Sequence, residues 1–451
     1  MKREVVLREM LEARERRAAL QKKLLAEYRT SLVCFTMNIA GPIKNSPLIR
    51  EGYELGKRLL TERLNARKIR VAHFEETSGA TGNEGYFLVE AAPSTLQKIT
   101  SEIEDESELG RLFDMDVLGP DGSKAGRAEL GLPERKCLIC GGPAKDCARS
   151  RAHSVPELQA RTRQILEDAT ASADSRDAAR LASRALLYEV ATTPKPGLVD
   201  RANSGSHKDM DIFSFMDSTS ALWPYFETCA RIGRSTADSP ATDTFAALRR
   251  AGLRAEAAMF AATRGVNTHK GAIFSMGILC AAMGRLRRPL WKNPGALLDE
   301  CAAMTKGLTA SDFAGLTEGT ARTTGQKLYL RYGITGVRGE MEAGLPTIRN
   351  AGLPALREGI ARGMSVNDAG CATLLAIIAA STDTNLIARS DRQTQLKVVA
   401  ELQDLLAKNP YPDRATLEEL DRRFIAANLS PGGSADMLAM CYLLYFLENG
   451  A

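Results

Sequence analysis

The sequence predicts a multidomain protein: an N-terminal α/β domain, an α+β layer with the order β-α-β-β-α-β, followed by an all-α helical domain. Three observations lead there. At about 150 residues per domain, 451 residues exceed what one hydrophobic core organises. Hydrophobic residues at 44% and charged residues at 25% are globular proportions that exclude wholesale disorder. The grammar also changes near residue 155: short β-rich runs alternate with helical stretches before it, and Ala/Leu-rich helical segments follow one another after about residue 175. The expected domains are 1–165 and 176–451.

The first half opens with an amphipathic helix over 4–28, with Val6, Leu7, Met10, Leu11, Leu20, Leu24 and Leu25 roughly on one side. An apolar run at 31–39, a helix at 47–65 and a strand at 69–75 follow. A Gly-rich connector at 77–85 leads to a strand at 86–91, Ser94 caps a helix to about 104, and 112–118 closes the series. Residues 155–173 are polar and helical in pattern, closing the first domain or linking the two. Helical segments are then expected at 177–190, 212–232, 244–264, 271–283, 294–305, 311–331, 366–378, 392–406, 416–427 and 434–447, with Gly and Pro mostly at the joints. No fixed-period repeat joins them, which argues against a solenoid.

Lys+Arg 60 against Asp+Glu 55 leaves +5, too small an excess for a dedicated nucleic-acid binder. Apolar stretches such as 372–380 are too short to span a bilayer. The opening residues lack the apolar core of a secretory signal, and nine Cys with three crowded together suggest a reducing compartment. A cytoplasmic protein without membrane or nucleic-acid partners is expected.

In the first half, Asp114 and Asp116 end a strand-like run, and alternation puts both carboxylates on one face, where they can share a divalent ion such as Mg²⁺. The alternative is a pair of solvated strand-end acids. Cys137, Cys140, Cys147 and His153 are three thiols and an imidazole within reach of one tetrahedral zinc, or else a loop of reduced thiols. Arg135, Lys136, Arg149 and Arg151 flank them with a positive field suited to phosphates, and Lys44 follows a strand in a turn where it could touch one.

The combination NIAGPIKNSP, GRLFDMDVLGPDG and RKCLICGGPAKDCARSRAH closely resembles the holo-acyl-carrier-protein synthase of citrate lyase, the apo-citrate lyase phosphoribosyl-dephospho-CoA transferases. The resemblance covers about residues 1–165. It implies transfer of a phosphoribosyl-dephospho-CoA group to a serine of the lyase's acyl carrier protein, with pyrophosphate leaving. Asp114 and Asp116 then match the paired acids, and Cys137 to His153 the basic Cys/His segment. The Gly-Ser pair that a standard nucleotidyltransferase carries shortly before its acids is missing.

In the second half, polar residues gather at helix joints: Lys195, Asp200, Arg201, Asn203, His207, Asp209 and Asp211; Asn267, His269 and Lys270; Arg338; Asp383; and Ser430, Gly432, Gly433 and Asp436. Helix starts with glycine nearby expose free N–H groups, and a lysine or arginine beside them completes an anion site. Each Asp or His taken singly could be an ordinary cap or packing residue; five such joints together suggest a shared pocket. No Walker-type loop is present.

KPGLVDRANSGSHKDMD, GVNTHKG, ITGVRGE, STDTN and SPGGSADMLA resemble triphosphoribosyl-dephospho-CoA synthase, from about residue 177 to the C-terminus. That family joins ATP to 3′-dephospho-CoA and expels adenine. A malonate decarboxylase counterpart shares most of this half, but the Cys-rich segment points to citrate lyase. For that chemistry His207, Asp209 and Asp211 are the candidates for base and metal work, and Lys195, Arg201, His269 and Lys270 those for phosphate binding, with roles inside each group left open. The rival reading is a zinc-binding regulator with a helical ligand domain; the near-neutral charge, the lack of a clear helix-turn-helix and 6% aromatics count against it.

Overall fold

The computed structural model describes residues 3–450, and the chain divides into two compact units, Met1–Ser172 and Ala173–Ala451. Unit one runs α1 (Leu7–Tyr28), β1 (Ser31–Met37), α2 (Pro47–Ala66), β2 (Val71–Gly79), β3 (Gly82–Val89), α3 (Pro93–Glu106), β4 (Phe113–Leu118) and α4 (Ala144–Ser150), and takes the first part of α5 (Val155–Ala191). The strands form one antiparallel sheet in the order β2-β3-β1-β4.

The unbroken apolar run of β1 has a physical reason: the strand is central and covered on both faces. Val33 and Phe35 pack with α2 and α3 residues such as Tyr53, Leu60 and Leu96, while Leu32 and Cys34 pack with Leu24 and Leu25 of α1. Only the second half of α1 does this. Val6, Leu7 and Leu11 stand exposed, so the apolar stripe expected along the whole helix stops short.

The expected connector at 77–85 is instead the body and tip of a hairpin. Gly79 pairs with Gly82 across a two-residue turn, and Thr77 pairs with Glu84. Glycine and polar residues hide a strand whose outer ladder faces water. Ala92, not Ser94, precedes α3, with Pro93 filling its first position, where a missing N–H costs nothing.

Unit two is helical throughout its described residues: the remainder of α5, then α6 (Ile212–Ser235), α7 (Ala241–Ala262), α8 (Lys270–Leu286), α9 (Pro294–Met304), α10 (Leu308–Phe313), α11 (Thr324–Tyr332), α12 (Gly336–Glu342), α13 (Leu353–Ala361), α14 (Val366–Ala380), α15 (Thr384–Arg389), α16 (Arg392–Lys408), α17 (Arg414–Ala426) and α18 (Gly432–Asn449). The helix expected over 311–331 breaks into α10 and α11, because 314–323 carries two glycines and three threonines, poor helix formers. The segments expected at 155–173 and 177–190 merge into α5. Among the described residues no helix is long and apolar enough to cross a membrane.

Three helices, α8, α14 and α18, are buried on nearly every face, which is why they read as apolar all round. Polar side chains are left for their first turns. Helices α6 and α8 approach at backbone distance: a Cβ on Gly233 would meet the Ala281 carbonyl oxygen at 2.0 Å, and one on Gly284 the Ala230 oxygen at 2.1 Å. A methyl group there must push two helices apart. Gly284→Ala should therefore destabilise unit two by about 1–3 kcal/mol. Its melting transition would fall by about 2–4 °C for each kcal/mol, measured by calorimetry; an unchanged transition would show that the helices can part freely.

Candidate active sites

In unit one, β4 is an edge strand whose side chains alternate buried and half-exposed. Phe113, Met115 and Val117 enter the core, so Asp114 and Asp116 share the other face. They lie opposite Thr36 and Cys34 of β1. Lys124 Nζ is 2.6 Å from Asp116, and Arg135 Nη1 is 3.7 Å from Asp114. Partial burial and then the neighbouring Asp116 charge raise the Asp114 pKa, against Arg135 and Lys124.

The free edge of β4 is dressed by side chains. Met115 N–H donates to Glu104 of α3 at 2.9 Å, and Arg135 Nη2 donates to the Arg111 and Phe113 carbonyls at 3.0 and 2.5 Å. A third acid on the α1 side of the sheet, Glu84, was not legible as a site residue. It accepts from Arg17 Nε and Nη2 at 2.9 and 2.6 Å and from Tyr86 OH at 2.5 Å. Lys44 turns back on its own loop, donating to the Ile39 carbonyl, and burial lowers its pKa. Arg149 and Arg151 stand exposed on α4 and at its C-cap. Among the described residues neither pairs with the two acids.

Cys137, Cys140, Cys147 and His153 do come together: their ligand atoms all lie within 4.8 Å of one another. Gly141 N–H donates to the Cys137 carbonyl, Ile139 N–H points at Cys137 Sγ at 3.5 Å, and His153 Nε2 is buried with no partner.

In unit two the polar joints meet around the starts of the buried helices. Lys195 is 1% exposed and pairs with Glu189, an acid on α5 that sequence reasoning passed over. Burial raises the Glu189 pKa, with the Lys195 charge opposing. Asp200 serves the loop itself, taking four donors: Thr193 Oγ1 at 2.5 Å and the N–H groups of Lys195, Ala202 and Asn203 at 3.0, 2.6 and 3.0 Å. Two further missed residues clamp this loop: Asn367 of α14 binds Thr193 and Arg201, and Asp421 of α17 binds Gly197 and Asn203.

His207 is fixed in one tautomer. Arg389 Nη2 can only donate, and it meets Nδ1 at 2.9 Å; Nε2–H therefore donates to Ser430 Oγ at 2.9 Å. Burial, then the Arg389 charge, hold this imidazole below its usual range. Asp209 is exposed at the rim. Asp211 caps α6, accepting from Ser214 N–H at 2.9 Å, the role of an ordinary N-cap and not of a group aimed into a pocket.

His269 joins this cluster from the N-cap of α8. Its Nδ1 is 2.7 Å from Ser218 Oγ, Phe215 meets it edge-on, and its buried Nε2 has no partner. Gly271 allows a very close approach: a Cβ there would lie 2.0 Å from Asp436 Oδ2. Asp436, in the first turns of α18, accepts no hydrogen bond from any described residue. The residue keeps some exposed surface, yet protein surrounds its carboxyl; that enclosure, with the charges of Glu189 and Asp383, raises its pKa well above the carboxylate range.

Asp383 links α15 to α18, accepting from Asn385, Leu386 and Ser434 N–H and from Ser434 Oγ at 2.7–3.1 Å. Gly432 and Gly433 let Asn385 and Asp383 lie against their Cα atoms, and Gly336 touches Thr384. The outlying residues are Asn267, exposed beside Lys270; Lys270, paired with Glu256 at 2.8 Å; and Arg338, paired with Asp312 at 2.7 Å. A groove of about 750 Å³ between α16 and α17 shares no residue with these loops.

His269 also carries a pH signature. Burial and the Lys195 charge lower its pKa from 6.5 to about 3. Its contribution to stability is complete above pH 6.5 and is lost as pH falls toward 3, where the unfolded chain takes a proton the folded one refuses. The difference in unfolding free energy between the wild type and His269→Gln should slope by up to about 1.4 kcal/mol per pH unit in that window. Denaturant titrations from pH 7 to 4 measure it, and a flat difference would mean an ordinary, accessible imidazole.

Two family models match the chain. Apo-citrate lyase phosphoribosyl-dephospho-CoA transferase matches residues 5–169, and ATP:dephospho-CoA triphosphoribosyl transferase matches residues 175–451. The chain is 34% identical to Protein CitXG of Leuconostoc mesenteroides subsp. cremoris, over 97% of this chain and 96% of that protein. It is equally close to Protein CitXG of Haemophilus influenzae, 34% over 98% and 96%. A 2-(5''-triphosphoribosyl)-3'-dephosphocoenzyme-A synthase of Pectobacterium atrosepticum is 44% identical over 58% of this chain and 86% of its own length.

Proposed function

The chain belongs to the family of fused proteins that join an apo-citrate lyase phosphoribosyl-dephospho-CoA transferase to an ATP:dephospho-CoA triphosphoribosyl transferase, and from that membership we propose how its residues divide the work. It is a bifunctional transferase that makes the citrate lyase prosthetic group and attaches it. ATP and 3'-dephospho-CoA give 2'-(5''-triphosphoribosyl)-3'-dephospho-CoA and adenine, and the phosphoribosyl-dephospho-CoA group then passes to the carrier protein as pyrophosphate leaves. We assign synthesis to 173–451 and transfer to 1–172, supported by the family matches and by the division of contacts. The partner is the acyl carrier protein of apo-citrate lyase.

In synthesis a ribose hydroxyl of dephospho-CoA attacks the anomeric carbon of ATP, and adenine leaves readily only if it is protonated. Asp436 is assigned as the proton donor. The observation that carries this is its carboxyl against Gly271, accepting no hydrogen bond from any described residue, with burial and the charges of Glu189 and Asp383 raising its pKa. His207 is not the base, because Arg389 and Ser430 already occupy both of its nitrogens. Asp209, exposed at the rim, is the remaining acid for that role. Arg201, exposed on the loop that delivers the buried Lys195, is assigned to the triphosphate; Lys270, outlying and paired with Glu256, could join it only by leaving that acid. Asp436→Asn should slow adenine release by about 10²–10⁴ at saturating ATP while nearly keeping ATP half-saturation. Unchanged turnover would return Asp436 to a packing role.

In transfer, Asp114 and Asp116 suit Mg²⁺: two half-exposed carboxylates on one face, mutually repelling, with Lys124 now beside one of them. Bound there, Mg²⁺ would neutralise triphosphate oxygens and the departing pyrophosphate. The carrier serine forms a bond to the α-phosphorus, its proton is taken up by a base, and the bond to pyrophosphate breaks. Asp114→Asn should abolish pyrophosphate release and leave adenine release intact; normal carrier loading by this variant would reduce the pair to solvated acids.

The Cys/His cluster fits a structural Zn²⁺. Tetrahedral Zn–S bonds of about 2.3 Å put ligand atoms about 3.8 Å apart, and the Cys140 and Cys147 sulfurs are 3.4 Å apart here. The His153 imidazole brings a ligand nitrogen within 4.8 Å of all three sulfurs, and its Nε2 is buried with no hydrogen-bond partner.

A further inference from the structure

We propose that the zinc knuckle is the device that holds Arg135 against the Asp114 strand, so that the metal governs carrier loading and not synthesis. The inference rests on the zinc reading above and extends it to a task.

Of residues 128–154 only Cys137 is buried, so this stretch has no hydrophobic core of its own. What orders it locally is a short backbone clasp: Cys137 N–H to the Gly142 carbonyl at 2.6 Å and Ala144 N–H to the Arg135 carbonyl at 2.8 Å. Arg135 is thus a rung of the clasp, two residues before the first ligand. Leu138 packs against the core of unit one, and a segment with so few apolar contacts gains the rest of its order from metal ligation. Without the ion, three thiols and a buried imidazole nitrogen have no reason to stay together.

From this clasp the Arg135 side chain reaches the edge of β4. It bonds two carbonyls there and places Nη1 3.7 Å from Asp114. Arg111 returns the contact through the Lys136 carbonyl. A guanidinium locked at that edge lies beside the place where the phosphoryl oxygens and pyrophosphate develop charge, and its worth depends on being held there before the reaction begins. Arg135 is therefore a positioning and charge-bearing residue for transfer, and zinc acts through it.

The test uses the full-length protein, purified without chelator, with metal content measured by mass spectrometry. About one zinc per chain is expected. Stripping it with a mercurial reagent and chelator should lower pyrophosphate release in carrier loading by about 10–100-fold, the usual scale for the outer layer of a metal site. Adenine release should be unchanged, and Zn²⁺, but not Mg²⁺ alone, should restore loading. Arg135→Gln should keep its zinc and show the same loss, and stripping zinc from that variant should cost little more. Near-zero zinc with full loading overturns both the zinc reading and this proposal. Zinc that is present and required, with Arg135→Gln loading at the wild-type rate, overturns this proposal alone.

Discussion

Lys195 and Glu189 lie side by side in the interior of the helical unit, and much of the surrounding polar architecture follows from putting them there. An ammonium and a carboxylate removed from water are tolerable only with each other, and deleting either one costs about 3–5 kcal/mol. The loop that delivers Lys195 must then be exact in its path. Asp200 ties it internally with four hydrogen bonds, Asn367 holds its start and Asp421 its middle. Burial does most to lower the His269 pKa and raise that of Asp436, and the pair's charges push each further the same way, Lys195 on His269 and Glu189 on Asp436. One buried pair thus reinforces what burial does to two neighbours.

Unit one solves a different problem. Its acids sit on an edge strand, half in water, where charges can be matched by ions and by mobile lysines. A shallow, open face of this sort suits a reaction whose acceptor is itself a folded protein. The enclosed chemistry of unit two suits a small-molecule glycosyl transfer in which water is a competing nucleophile.

The polar joints of unit two were readable because they interrupt helices apolar on every side; a charged cluster between such helices has few places to go except together. The roles within those joints were not readable. Asp200, Asp211 and Asp383 each satisfy N–H groups near loops or helix starts, a task that calls for the same side chain as catalysis or metal binding does. Glu189 and Asp421 were invisible because each lies inside a helix of ordinary composition, and only packing turns them inward. Glu84 was lost with its strand, whose glycines masked the period-two pattern. In unit one the alternation that put Asp114 and Asp116 on one face was local and therefore legible; the arginine that reaches Asp114 from the next segment depends on tertiary structure.

The edge of β4 has a further consequence, for the molecule in a crowd. An outer strand offers unpaired amide and carbonyl groups to any extended chain that drifts past, the first step of strand addition and aggregation. Here Glu104 occupies the Met115 amide and Arg135 the Phe113 carbonyl, so the template is blanked at its centre by two side chains rather than by a covering helix. Ala125 N–H takes the Val117 carbonyl further along, so a guanidinium swinging away would open the edge at Phe113 alone. Colloidal behaviour and reactivity are thereby joined at a single residue, and selection acting on the solubility of this protein would act on its chemistry as well.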